Sequence, residues 1–299
     1  MEPRMNIEMI IHTDQLFKNK TDLAHEPLNG GFSNETHVVT WKNEKYVVKI
    51  NFPQSDFHVV TRKTELQAQS IAAVMGIAPR VFSDHEQEEY SIQEFVPGHL
   101  MNYEEIVDKN NISKMASVLS KLHKIEGVER ISSAFDLIDG YMRGVNKFGL
   151  SIPEGVSDIL KETEKIRDRR SLDKSNNQKY CHNDILSNNL LFDGSIITVI
   201  DWELSGVGDP YMDLASLPYS NHFKEEEEVF LLSEYFGYYE DEMLQNLKDM
   251  KYVGMVREVA WALFYAGLNK KSVNHEFDYY GAVKYVLDRM QNGHVCLWD

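Results

Sequence analysis

The chain has 299 residues, 42% of them hydrophobic, with 8 prolines and 17 glycines, enough for one large domain or two lobes with cores of their own. Its 47 acids against 31 bases leave a formal charge of −16, which argues against nucleic acid or an anionic membrane and suits either plain solubility or a cationic small-molecule partner. No stretch reaches the ~18 consecutive apolar residues of a membrane span and no signal-peptide core opens the chain; Cys181 and Cys296 form neither a disulfide framework nor a metal motif, so a cytoplasmic protein is expected.

Residues 1–97 read as strands around one helix. "NGGFSNET" (29–36) is a glycine-bearing turn before a strand, able to bring backbone N–H groups near phosphates, although it lacks the G-x-G-x-x-G of protein kinases. "THVVTW" and "YVVKI" flank the polar residues 42–45 and predict a hairpin. A helix is expected over 59–75, stopped by Gly76, and "YSIQEFV" (90–96) predicts a strand ended by Pro97-Gly98. Residues 98–299 are then expected to be helical. Ile112, Met115, Ala116, Leu119, Leu122 and His123 follow helical spacing, and further helices are predicted near 155–170, 224–236, 241–268 and 278–291. The acidic run 225–228 reads as a solvated first helical turn.

Between the helical regions lies one hairpin. "LLF" and "SIITVI" are apolar, and Asp193-Gly194 between them is a tight-turn signal. Its open end brings together Asn189, just before the first strand, and Asp201, just after the second. Asp184 lies five positions before Asn189, in the loop entering the hairpin. Three oxygen-bearing side chains are therefore expected at one spot. Phosphoryl transfer to a hydroxyl needs such a set: a carboxylate to orient and deprotonate the hydroxyl, and an amide and a second carboxylate to hold magnesium. H-x-D-x-x-x-x-N followed by a buried strand and an aspartate is the protein-kinase arrangement. The plainer alternative makes Asp184 and Asn189 turn caps and lets Asp201 end a strand. His182 reads as support for the loop backbone. Upstream, Lys49 ends "YVVKI", an odd place for a charge unless it meets Glu65 on the next helix and is steered to nucleotide phosphates.

"HNDILSNN", "VIDWELSGVGDPYMDLA" and the order of the two halves resemble the aminoglycoside phosphotransferase and choline kinase superfamily, nearest to bacterial choline kinases, from "LNGGFSNETHVV" to "FDYYGAVKY". The resemblance implies an α+β, two-lobed protein-kinase-like fold, with an ATP-binding lobe over 1–97 and a helical lobe over 98–299. It implies ATP and Mg2+ as cofactors, Asp184 as catalytic base, and Asn189, Asp201 and Glu203 about the metal. Lys49 and Glu65 become the phosphate-binding pair. Gly30, Gly31, Ser33 and Asn34 lie in the phosphate turn, Gln93, Glu94 and Val96 in the adenine-contacting hinge, and Asp213 ties the catalytic loop down.

The acceptor implied is a small cationic alcohol, choline or ethanolamine. A quaternary ammonium donates no hydrogen bond and is held over aromatic faces. Trp261 and Phe264 in "REVAWALFYAGL", with Phe277, Tyr279, Tyr280 and Tyr285 in "HEFDYYGAVKY", are the candidate rings, although an aromatic stripe on a helix also reads as core. The chain departs from choline kinases at Ser220, where they carry a glutamate near the cation. Rival readings are an aminoglycoside, sugar or thiamine kinase, a metal phosphoesterase, and a kinase-shaped binding protein without activity. The phosphoesterase lacks a second histidine motif, and the complete set of Lys49, Asp184, Asn189 and Asp201 argues against an inactive protein.

Overall fold

Residues 34–41 and 44–51 pair antiparallel to build the sheet that carries Lys49, and residues 48–51 are buried on both faces. The computed structural model describes residues 5–28, 34–51, 62–85, 90–129, 132–172, 178–269 and 277–293. Helix α1 (Ile7–Thr13) precedes β1 (Ala24–Leu28), β2 (Asn34–Trp41), β3 (Glu44–Asn51), α2 (Arg62–Val74), β4 (Val81–His85) and β5 (Tyr90–Glu94). The five strands form one antiparallel sheet in the order β1-β2-β3-β5-β4. Val48 and Ile50 point to one face, where they join Ile7 and Ile10 of α1, Phe17, Tyr90 and Ile92 in a small core. Lys49 lies between them in sequence and so points to the opposite face, toward α2. This period of two explains a charge inside an apolar strand. The predicted hairpin is present. Strand β5 stops at Glu94, two residues earlier than expected, because its pairing with β3 ends at Tyr46↔Glu94 and the Glu94 N–H turns to the Arg80 carbonyl at 2.8 Å.

The rest of the chain adds β6 (His99–Leu100), α3 (Tyr103–Ile106), α4 (Lys109–Leu122), α5 (Ala134–Phe148), α6 (Val156–Leu172) and β7 (Lys179–Cys181). There follow β8 (Leu190–Phe192), β9 (Ile197–Val199), β10 (Gly206–Gly208), α7 (Tyr211–Ser220), α8 (Glu225–Phe236), α9 (Asp241–Asn269) and α10 (Tyr279–Gln291). The five-stranded sheet thus occupies the first third and most of the helices lie beyond it, with only strands of two or three residues among them, the two-lobed α+β plan. The large core runs from Ala68 and Ala72 on α2 through the β8–β9 hairpin to α9 and α10. A Val199 N–H to Ile77 carbonyl bond of 2.8 Å ties the hairpin to the end of α2.

Helix α9 is the axle of the helical region, packed against α5, α6, α7 and α10. Crowding from several sides explains why its apolar residues do not keep to one stripe. At Gly254 the Tyr219 ring of α7 lies so close that an added Cβ would sit 2.5 Å from its Cε1. Only glycine permits that approach, which aims the Tyr219 hydroxyl along α9 toward Arg257 and Glu258. Among the described residues, no helix is long and apolar enough to cross a membrane.

Candidate active site

The β8–β9 hairpin is short and buried, and its four-residue loop is closed by Asp193, whose carboxylate accepts the N–H groups of Ser195 and Ile196 at 2.8 and 2.7 Å. At the open end, the Ile200 N–H donates to the Asn189 carbonyl at 3.0 Å, so residues 189 and 201 are neighbours. Asp201 has φ +64° and Asn183 φ +63°, left-handed values that non-glycine residues seldom hold. Both mark points where surrounding bonds overrule the local preference of the chain.

Those bonds are buried. Asp213 accepts the backbone N–H groups of His182 and Asn183 at 2.8 and 2.6 Å, and His123 Nε2 lies 3.0 Å from the same carboxylate. The Asn183 amide donates to the carbonyls of Ser132 and Leu204. His182 is fully buried, places Nε2 3.1 Å from the Ile200 carbonyl and meets Trp202 edge to face; burial lowers its pKa and keeps the ring neutral.

Held this way, Asp184 takes bonds at both carboxylate oxygens. Asn189 Nδ2 donates to Oδ2 at 2.7 Å, and Arg257 Nη2 donates to Oδ1 at 3.0 Å. Removal from water pushes the Asp184 carboxyl up to about 7; Arg257 pulls it down, while Glu258, Asp201 and Glu203 push it further up. A base poised near neutral pH is suited to taking a hydroxyl proton.

Lys49 donates to Glu65 at 3.1 Å and to Asp201 at 2.5 Å, bridging the sheet, α2 and the hairpin. Asn34 Nδ2 reaches Glu203 Oε2 at 3.3 Å. With its Nδ2 turned to Asp184, Asn189 has its amide oxygen to offer, and Asn189, Asp201 and Glu203 carry oxygen donors of the kind a hard cation such as Mg2+ selects. Gly30, Gly31 and Ser33 lie outside the described residues. Gln93 is buried and its side chain is engaged by Gln69 and Ser91, while Glu94 pairs with Arg80; only their backbones can serve an adenine ring. Val96 follows the end of β5 and is half-buried.

The aromatic candidates divide. Trp261, Phe277 and Tyr279 gather, with ring centroids 6.3, 5.8 and 4.8 Å apart for Trp261–Phe277, Trp261–Tyr279 and Phe277–Tyr279. Phe264 does not join them. It is buried against Tyr141 and Phe148 in the core, because three residues after Trp261 the helix has turned toward α5. Tyr265, four residues on, takes that place at 5.0 Å from Trp261. Tyr280 and Tyr285 are exposed along α10, with Arg289 over the Tyr285 ring.

Two charged residues escaped the sequence reading. Arg257 is buried, donates to the Asn183 carbonyl, and through Nη2 also reaches Tyr219 and Glu258 at 3.0 and 2.9 Å. Burial opposes its charge, but Tyr219, Glu258 and Asp184 hold it firmly protonated. The available signal was helical spacing: Arg257, Trp261 and Tyr265 recur every four residues.

A site of this geometry on this fold defines a phosphotransferase of the kinase-like class. The model of the phosphotransferase enzyme family matches residues 24–250, and the chain belongs to that family. It is 24% identical over 244 residues to protein LicA of Haemophilus influenzae, covering 79% of this chain and 70% of that one. It is 23% identical over 298 residues to the probable ethanolamine kinase A of Dictyostelium discoideum, with 88% and 84% covered. Its fold matches the crystal structure of a choline/ethanolamine kinase family protein from Mesorhizobium loti, with a TM-score of 0.76, 20% identity, and 95% and 92% of the two chains covered.

Proposed function

We propose that the protein transfers the γ-phosphoryl group of ATP to the hydroxyl of a small cationic alcohol, choline first and ethanolamine second. The observation that carries this reading is the placement of Asp184: one carboxylate shared between the hairpin that bears Asn189 and the helix that bears Trp261. Asp184 orients the acceptor hydroxyl and takes its proton as the new O–P bond forms. The bond from the γ-phosphorus to the β–γ bridging oxygen breaks, and ADP leaves with that electron pair. Lys49, steadied by Glu65, meets the nucleotide phosphates. Magnesium, held by Asn189, Asp201 and Glu203, would neutralise phosphate charge. Trp261, Tyr265, Phe277 and Tyr279 offer aromatic faces to the cationic head.

The aromatic assignment separates acceptor binding from nucleotide binding. A cation over a desolvated ring gains about 2 kcal/mol, so Trp261→Ala should raise the choline KM ~30-fold while the ATP KM moves far less. Ethanolamine should be the poorer substrate where the rings dominate. Steady-state kinetics with each substrate varied in turn checks both statements. Equal KM values for choline in variant and wild type would return Trp261 to the core.

A further inference from the structure

Ser220 provides no anion to a cationic head, and its hydroxyl is turned back onto its own helix, donating to the Ser216 carbonyl at 2.6 Å. A carboxylate stands instead on the facing helix. Glu258 lies one turn before Trp261 on α9, and its Oε1 accepts from Arg257 Nη2 at 2.9 Å and from the Tyr219 hydroxyl at 3.3 Å. Among the described residues, Oε2 has no hydrogen-bond partner, and the side chain is 22% exposed. Arg257 Nη2 also donates to Asp184 Oδ1 at 3.0 Å. Both carboxylates therefore contact one nitrogen, which places those two oxygens no more than about 6 Å apart on the reach of two such bonds.

We infer that Glu258 is the specificity-determining anion for the acceptor, receiving its ammonium while Asp184 receives its hydroxyl. This rests on the reading of the site as that of an amino-alcohol kinase, and it names the acceptor more narrowly: a cationic head joined to the hydroxyl by a two-carbon spacer. Such a molecule can touch both carboxylates at once and present its head to Trp261, three residues along the same helix face. Arg257 is the positioning residue. It keeps two like charges close without either swinging away, and being buried itself it leaves the exposed edge of Glu258 to the ligand. Tyr219, held against α9 through Gly254, fixes the other side of Oε1.

The test compares choline with its uncharged isostere, the alcohol in which a tert-butyl group replaces the trimethylammonium. Wild type should favour choline in kcat/KM, and Glu258→Gln should lose ~10- to 100-fold of that preference, the range of the coulombic attraction between a carboxylate and a cation a few ångströms away in a partly solvated site. Glu258→Asp should keep most of it. Glu258→Ala carries the same expectation as the glutamine variant if the latter does not fold, with thermal melting to establish folding. A folded glutamine or alanine variant that keeps the full wild-type preference overturns the role of Glu258 and leaves the amino-alcohol reading intact. A wild-type enzyme that phosphorylates neither choline nor ethanolamine overturns both.

Discussion

Asp184→Asn should lower turnover ~100-fold or more, the range expected on removing a general base, while Mg-ATP still binds. Asparagine keeps the size of the side chain, and its one amide oxygen can still accept from Arg257 while its nitrogen replaces the oxygen that accepted from Asn189; the bonds from the His182 and Asn183 N–H groups to Asp213 that hold the loop are untouched. Asparagine cannot take a proton. The loss should therefore fall on kcat, and calorimetric titration with nucleotide should give an affinity close to wild type. A variant with most of its turnover would show that the hydroxyl proton leaves by another route.

Asp201→Ala should abolish activity at every accessible magnesium concentration. The Asp201 carboxylate accepts from the Lys49 ammonium at the end of the hairpin and is the carboxylate assigned to the metal, and alanine removes it from both. Asn189→Ala removes a neutral ligand only, so it should raise the magnesium concentration needed for half-maximal rate and leave measurable activity. Magnesium titrations of both variants check this pair. Full recovery of Asp201→Ala at high magnesium would contradict the assignment of the carboxylate to the metal.

The residues to which these roles are assigned were legible in the sequence to the extent that local rules place them. Asp184, Asn189 and Asp201 lie within one short hairpin and its entry, where turn chemistry and alternation fix the geometry. Lys49 was readable as a misplaced charge because strand period sends it away from Val48 and Ile50. Arg257 and Glu258 were not readable. Their contacts with Asp184 and Tyr219 span 73 and 39 residues of sequence, and only the packing of α7 on α9 creates them. The same limit applies to Phe264, since an apolar helix touched from several sides does not declare which of its faces is core; the structure buries Phe264 and sets Tyr265 beside Trp261. Helices α1, α5 and α7 went unread for local reasons. Helix α1 spans only seven residues, α5 carries Gly140 and Gly144, and α7 encloses Pro218, all weakening the helical signal. Strands of three residues, such as β7 and β10, are too short to show alternation.

The acceptor is the central claim, and phosphorus NMR of one reaction mixture tests it most directly. Purified protein with Mg-ATP and choline should yield phosphocholine and ADP in equal amounts, with ethanolamine converted more slowly. Contradiction would be a protein that leaves choline and ethanolamine untouched while phosphorylating an aminoglycoside, a sugar or thiamine under the same conditions.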